Sequence, residues 1–281
     1  MEGGHENRIY TERETEMAEL LERTEPQDKI WNKSFTSIFI ANMLMFMGQQ
    51  MMNTLVAKYA NTLGAAPVMI GVVTSSFAYT ALIFKIFSAP AIDTFNKKYI
   101  LVGAMIVMAM SYAGYSISTT IPVLMVSRLL QGAGQAFSAT CCLALATDAL
   151  PQSKLGMGIS IFSLAQVICQ SIGPSIGLFL ARSIGYHYTF AVGSCTMLVA
   201  AIFAFNIKNN YIKTGKKYQI RLSNIIAKEA ILPATLMFLL CMAYYNITTY
   251  LVIYADAVNA GEHIGLFFTV YALTLLVTRP M

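Results

Sequence analysis

Charged residues are scarce in this chain of 281 residues. Only 12% of the residues are Asp, Glu, Lys or Arg, about half the fraction of a typical soluble domain, whereas 56% are hydrophobic. Nine of the fourteen acidic residues lie within the first 28 positions, so the rest of the chain has very few carboxylates. This composition excludes an ordinary soluble globular domain.

The sequence also lacks the signals of an enzyme or a metalloprotein. It has no recognisable nucleophile–base pair, phosphate-binding glycine loop or metal-ligand spacing, and its three histidines are far apart. The cysteines all lie in apolar stretches, where they are typical of small buried residues: Cys141, Cys142, Cys169, Cys195 and Cys241. We therefore expect no enzymatic activity, no cofactor and no metal site.

Long apolar stretches dominate the chain instead. About 20 apolar residues are needed for a helix to cross a bilayer. Because the apolar runs are continuous and do not alternate with polar residues, they do not fit a membrane β-barrel. The sequence predicts an all-α multipass membrane protein in contact with lipid, with eight stretches at roughly 34–57, 68–88, 99–118, 122–147, 158–181, 188–207, 231–254 and 263–278.

The distribution of positive charge predicts the orientation in the membrane, because cytoplasmic loops are enriched in Lys and Arg. With the N-terminus inside, sixteen of the nineteen basic residues fall on the cytoplasmic side. Only Lys58 and Arg182 fall outside, and Arg128 lies within a helix. We expect a protein of the cell membrane with a cytoplasmic N-terminus. The basic pI near 8.9 then reflects this orientation, and no nucleic-acid partner is implied.

A short charged turn at 89–98 separates the second and third stretches. It resembles the signature loop of the major facilitator superfamily, Gly-x-x-x-Asp-Arg-x-Gly-Arg-Arg, which lies between transmembrane helices 2 and 3. Asp93, Lys97 and Lys98 match this pattern, whereas Ala89, Thr94 and Asn96 depart from it. The resemblance implies that Asp93, Lys97 and Asp148, at the end of the fourth stretch, form a cytoplasmic charge cluster that latches the two halves of a transporter.

The resemblance also implies how the chain is organised, since this superfamily is built from six-helix repeats. Ile70-Gly71 opens the second stretch and Ile264-Gly265 opens the eighth, which indicates a weak internal repeat. We expect a cytoplasmic tail (1–33), an N-terminal six-helix bundle (34–207), a cytoplasmic linker (208–230) and the first two helices of a C-terminal bundle (231–281). The chain would then be a C-terminally truncated fragment of a protein that is monomeric when complete.

Arg128 stands inside the fourth apolar stretch, where a charged side chain costs roughly 2.5–3.5 kcal/mol on insertion scales. The segment Arg128-Leu-Leu-Gln131-Gly132-Ala-Gly134 is similar to the Arg-x-x-Gln-Gly-x-Gly motif of helix 4 in proton-coupled antiporters. That similarity implies a role in proton coupling or substrate binding. The alternative is an arginine that extends to the nearby outer membrane interface.

Gly173, Pro174 and Gly177 in the fifth stretch resemble the Gly-Pro-x-x-Gly-Gly motif of antiporter helix 5, with Leu178 in place of the last glycine. Proline bends a helix, and glycines four residues apart let a neighbouring helix approach closely. The alternative to an antiport motif is a bent packing helix that has no bearing on transport.

Uncharged polar residues recur on several apolar helices. Because such groups are costly in lipid without hydrogen-bond partners, they should face inward. They are candidates for lining a central cavity, or alternatively for hydrogen bonds between helices: Asn42, Gln49, Asn53, Gln135, Gln166, Gln170, Tyr244 and Asn246.

These observations predict a secondary transporter that moves a small solute. The two helix motifs favour export of drug-like molecules or metabolites in exchange for protons. Arginine does not titrate at physiological pH and no carboxylate lies in the middle of a stretch, so the proton coupling rests on the resemblance alone. A facilitator or importer of sugars or organic anions is the alternative within transport, and a non-transporting receptor or assembly subunit is the alternative of another class.

Overall fold

Seven long helices make up residues 30–207 and 231–258 of the protein. The computed structural model describes residues 30–207, 231–258 and, from the segment after them, only 264, 266, 267, 270, 271 and 274. A 3₁₀ turn, Gln152–Lys154, precedes the fifth helix. No strand occurs in this part of the chain, and the predicted all-α class is confirmed. The helices are α1 Lys33–Thr62, α2 Pro67–Thr94, α3 Lys97–Ile117, α4 Ile121–Ala149, α5 Leu155–Ile184, α6 Tyr186–Phe205 and α7 Ile231–Ala257.

The helices coincide with the first seven apolar stretches. The eighth predicted stretch, residues 1–29 of the predicted tail and the whole predicted linker, 208–230, lie wholly or largely outside the described residues. The division of the chain into a tail, two bundles and a linker therefore stays a prediction.

Six of the described helices, α2 to α7, are long and apolar enough to cross a membrane. Helix α1 has 30 residues, which gives it a length of about 45 Å, but it carries five amide side chains, Asn42, Gln49, Gln50, Asn53 and Asn61. Asn42 and Gln49 are buried inside the bundle, where the neighbouring helices shield them from lipid. The chain is thus a multipass membrane protein whose most polar helix is also one of its central helices.

Short connections hold consecutive helices antiparallel. Only Phe95 and Asn96 separate α2 from α3, and the Asn96 side chain accepts a hydrogen bond from the Lys98 backbone N–H at 3.0 Å. Gly185 alone separates α5 from α6, with a φ of 85°, a conformation that side chains other than glycine rarely adopt. These connections place α1 against α5 and α6, α2 against α4, and α3 against α4 and α6.

Glycines set the closest helix contacts. A Cβ atom added to Gly132 on α4 would clash with the Phe77 carbonyl oxygen and would lie 2.9 Å from the Thr80 Cβ atom, both on α2. A Cβ atom on Gly177 of α5 would lie 3.3 Å from the Cα atom of Met51 on α1. Small residues of this kind let membrane helices approach backbone to backbone. Gly132, predicted as a transport residue, is therefore also a packing residue.

Replacing Gly132 with Ala should force α2 and α4 apart. Overpacking of this kind typically costs about 1–3 kcal/mol, which outweighs the small gain in helix propensity from Ala. Gly103→Ala on α3 is the matched control, because no atom lies within 4 Å of the position of its Cβ. We expect a lower thermal unfolding midpoint for Gly132→Ala in detergent and an unchanged or higher one for Gly103→Ala. Equal midpoints for the two variants would contradict this account of the α2–α4 contact.

Candidate functional site

Arg128 lies in the second turn of α4 and is fully enclosed. Its side chain is 1% exposed and is the bulkiest of the fully buried side chains in the described part of the protein. Its Nη1 donates hydrogen bonds to Asn53 Oδ1 on α1 at 3.1 Å and to Gln131 Oε1 at 2.8 Å. The guanidinium therefore lies among helices inside the bundle, and this burial does not fit the interfacial alternative.

Aromatic residues of α2 and α3 complete the surroundings of Arg128. The Cζ atom of Arg128 lies 5.3 Å from the ring centre of Phe77 and 5.8 Å from that of Tyr115, within the range of cation–π attraction. The Tyr115 hydroxyl donates to Gln131 Oε1 at 2.5 Å, and Gln131 Nε2 points to the Tyr112 hydroxyl at 3.5 Å. Helices α1, α3 and α4 thus contribute polar groups to one network around the positive charge, and α2 contributes a ring face.

A small polar cavity adjoins this network. It has a volume of about 50 Å³ and lies among α1, α2, α4, α5 and α7. Each buried water needs at least about 10–15 Å³, so the cavity has room for only a few waters, whereas drug-sized ligands occupy sites of roughly 300–1,000 Å³. A solute of that size needs a wider arrangement of the helices. The lining residues are Gln50, Asn53, Thr54, Thr74, Phe77, Arg128, Gln170, Pro174, Tyr244, Tyr245 and Thr249.

Helix α7 closes one side of the cavity and contacts the bundle mainly through its second half. Gln170 Nε2 on α5 donates to the Tyr244 hydroxyl at 2.7 Å, and the Tyr250 hydroxyl donates to the Pro67 carbonyl at the start of α2 at 3.3 Å. Residues 231–240 are exposed along almost their whole length, whereas Val252 is 2% exposed. Helix α7 is thus held near its C-terminal end and lies apart from the bundle near its N-terminal end.

The structure brings together four of the polar residues proposed from the sequence, and Pro174 of the helix-5 motif lies with them. Arg128, Asn53, Gln170 and Tyr244 line the same cavity, and Gln131 lies directly behind it. In the sequence these residues share only one feature, a polar side chain on an apolar helix, and this feature does not show that they contact one another.

Other candidates for lining a cavity lie elsewhere. Gln166 Nε2 and Asn42 Oδ1 approach to 3.5 Å between α5 and α1, in accord with the interhelical alternative. Gln49 and Gln135 each have a buried Oε1 atom without a hydrogen-bond partner. Asn246 is exposed and donates to the Met242 carbonyl of its own helix at 2.8 Å.

Several residues of the site were not identified from the sequence. Phe77, Tyr112 and Tyr115 pack around Arg128 or Gln131, but aromatic residues are common in apolar helices and carry no motif of their own. Thr54, Thr74 and Thr249 also line the cavity. Their only sequence signal is a polar group in an apolar stretch.

The helix-5 motif positions the wall of the cavity. Pro174 lies inside α5 and lines the cavity. A Cβ atom on Gly173 would lie 2.8 Å from the Gln50 Cβ atom and 3.4 Å from the Met47 carbonyl oxygen. The absence of a side chain at Gly173 therefore lets α5 lie against α1, so that Gln50 and Gln170 reach the same space.

Two of the three residues predicted to form the cytoplasmic charge cluster form an ion pair. Lys97 Nζ lies 2.6 Å from Asp148 Oδ2, which connects the start of α3 to the end of α4. Asp93 is exposed at the end of α2, and no ion pair joins it to another described residue. Within residues 30–207 and 231–258, no group of His, Cys, Asp and Glu side chains is arranged to hold a metal ion.

Known proteins resemble this chain both in sequence and in fold. An uncharacterized MFS-type transporter of Methanocaldococcus jannaschii is 25% identical over 193 residues, which cover 69% of this chain and 50% of the relative. The staphylopine export protein of Staphylococcus aureus is 22% identical, covering 87% of this chain and 64% of the relative. The quinolone resistance protein NorA of the same species is 22% identical, covering 85% and 66%. The chain therefore spans half to two thirds of the length of these relatives.

A solved structure has the same helix arrangement. The crystal structure of a peptide transporter POT covers 81% of this chain with a TM-score of 0.60, at 13% identity, and this chain covers 48% of that one. This likeness confirms the predicted major facilitator fold. Residues 38–281 match the sequence pattern of the Major Facilitator Superfamily, and because this match extends over most of the sequence, the chain belongs to that family of transporters.

Proposed function

We propose that this chain supplies the N-terminal bundle and the first part of the C-terminal bundle of a secondary active transporter. The transporter would export a small drug-like molecule or metabolite in exchange for protons, by alternating access at the cell membrane. The observation that carries this proposal is the buried Arg128 at the wall of a polar cavity between the six-helix bundle and α7.

The attachment of α7 supports alternating access. A rocking mechanism needs one bundle to contact the other at one membrane face while the two separate at the opposite face. Helix α7 meets the bundle through Gln170–Tyr244 and Pro67–Tyr250, while its N-terminal third is exposed. In the predicted orientation these contacts lie toward the outer face, so the arrangement resembles a state that opens to the cytoplasm.

The relatives support export as the direction of transport. Those already described include an export protein and a quinolone resistance protein, and a putative multidrug resistance protein of Salmonella typhimurium is 22% identical over 168 residues. Proton coupling is supported by the resemblance of the Arg128 segment to the antiporter helix-4 motif. An arginine side chain is not a proton carrier in proteins, so the proton would be carried by another group.

Transport of organic anions as a facilitator or importer is the second candidate function. A positive charge among neutral amide and hydroxyl groups at the cavity favours it, because such groups suit an anionic solute. Gradient-dependent accumulation in vesicles separates it from proton-driven export. A non-transporting receptor would show neither activity.

Replacing Arg128 with Ala should reduce transport by more than about tenfold, because it removes two charge-assisted hydrogen bonds at the cavity. Membrane insertion should be intact, since a neutral residue enters the bilayer more easily. The measurement is proton-gradient-driven dye transport by the full-length protein in proteoliposomes, with and without a protonophore.

Arg182→Ala is the matched control, because it removes an arginine at an exposed position on α5, remote from the lining of the cavity. Its transport should be unchanged. Transport by Arg128→Ala at the wild-type rate would contradict the proposed role of Arg128, and transport that is unaffected by the protonophore would contradict proton coupling.

The Lys97–Asp148 pair should couple α3 to α4 during transport. As an exposed pair it adds only about 0–1 kcal/mol to stability, so its loss should affect transport rate more than unfolding. We expect Lys97→Ala, Asp148→Ala and the double variant to slow transport to a similar extent, because each breaks the same contact.

Lys98→Ala provides the control for charge at the same turn. Lys98 Nζ lies 4.8 Å from the ring centre of Phe205, and Asp148 is paired with Lys97 instead. Its effect should add to that of Asp148→Ala. Additive effects of Lys97→Ala and Asp148→Ala would show that their contact does not matter for transport.

A further inference from the structure

The positive charge of Arg128 has no carboxylate partner within the six-helix bundle. Between residues 33 and 205 the sequence contains only two acidic residues, Asp93 and Asp148. Asp148 lies twenty residues after Arg128 on the same helix, which places its backbone about 30 Å away. Asp93 lies sixteen residues after Phe77 on α2, about 24 Å along that helix. Neither carboxylate reaches the guanidinium.

The residues that α7 contributes to the described lining of the cavity include no carboxylate. Tyr244, Tyr245 and Thr249, the residues that α7 contributes to the cavity, are neutral. Among the described lining residues, Arg128 is therefore the one that carries a formal charge.

Part of the guanidinium is left without a partner. Both hydrogen bonds that the structure gives Arg128 come from Nη1, and its buried Nε has none. In arginine, Nε and the second terminal nitrogen present two parallel N–H groups, and this edge matches the two oxygens of a carboxylate. A buried donor without an acceptor is unfavourable, so an anion that reaches this edge gains both an ion pair and hydrogen bonds.

The rest of the cavity suits the remainder of such a solute. Gln50 and Gln170 supply amides, Thr74 and Thr249 supply hydroxyls, and Phe77 and Tyr245 supply rings. These groups suit a solute whose other parts are neutral and polar or aromatic, and none of them carries a second formal charge. The site therefore favours a solute with a single negative charge.

We propose that the transported solute carries a carboxylate and that Arg128 is its counter-ion. This inference rests on the proposed function, since it takes the cavity to be the solute site, and it adds the chemical class of the solute. A carboxylate from a part of the chain outside the described residues would satisfy Arg128 in the same way. The experiment must therefore separate a solute carboxylate from one that the protein itself supplies.

The test is a binding measurement on the full-length protein in lipid nanodiscs, by equilibrium dialysis without a gradient. The probes are ten pairs of small carboxylic acids and their primary amides, from acetate and acetamide to dansylglycine and dansylglycinamide. Charge-assisted hydrogen bonds to a buried arginine predict that at least one acid binds about tenfold or more tightly than its amide.

Variants assign the preference to Arg128. Arg128→Gln should bind the acid and the amide alike, Arg128→Lys should keep a reduced preference because Lys lacks the planar fork, and Arg182→Gln should behave as the wild type. The proposal is overturned if the wild type binds every acid no more tightly than its amide, or binds none of the probes. Arg128 would then be paired within the protein. A preference that survives in Arg128→Gln also overturns the proposal.

The binding result is separate from the proposed transport function. An acid preference without gradient-driven transport would leave the solute class standing and would reject proton-coupled export. Gradient-driven transport of a neutral dye without any acid preference would support the proposed transport function and would reject a solute that carries a carboxylate. Arg128→Lys, which keeps the charge, guards against a loss of binding caused by misfolding of Arg128→Gln.

Discussion

The burial of one guanidinium governs the centre of this bundle. An isolated charge inside an apolar protein is strongly unfavourable, so Arg128 is compatible with the fold only where several helices supply compensating groups. Asn53 on α1 and Gln131 on α4 supply oxygens, and Phe77 on α2 and Tyr115 on α3 supply ring faces. The four helices must therefore lie close to one another at the same depth.

Glycines allow these helices to approach one another closely. Gly132 brings α4 against the backbone of α2 next to Phe77, one turn from Arg128 itself. Gly173 and Gly177 do the same for α5 against α1, which sets Gln170 and Pro174 opposite Gln50 and Asn53. The two sequence motifs thus have one physical consequence in common, a narrow polar cavity with a charge at its wall. Helix α7 then closes the cavity where the Tyr244 hydroxyl accepts a hydrogen bond from Gln170, and its N-terminal third, residues 231–240, is exposed.

Much of the fold follows from the sequence, because continuous apolar runs of spanning length leave few alternatives to membrane helices. The position of Arg128 could also be predicted, since a charge in such a run is rare. The sequence could not show which polar residues contact one another. Helical periodicity indicates which residues share a face of a helix, but not which neighbouring helix that face contacts. Asn53 and Asn42 both lie on α1, yet Asn53 reaches Arg128 whereas Asn42 faces Gln166. Tyr115 and Phe77 had no distinguishing signal at all.

Cysteine accessibility tests most directly whether the Arg128 cavity is the solute pathway. Thr249→Cys on α7 lines the cavity without touching Arg128, and Ile202→Cys on the exposed apolar face of α6 is the control, both in a full-length protein without its native cysteines. The account predicts that an anionic, membrane-impermeant thiol reagent labels Thr249→Cys, that a transported solute protects it, and that Ile202→Cys stays unlabelled. If Thr249→Cys resists labelling throughout transport, or is labelled without any protection by solute, the pathway does not pass through this cavity.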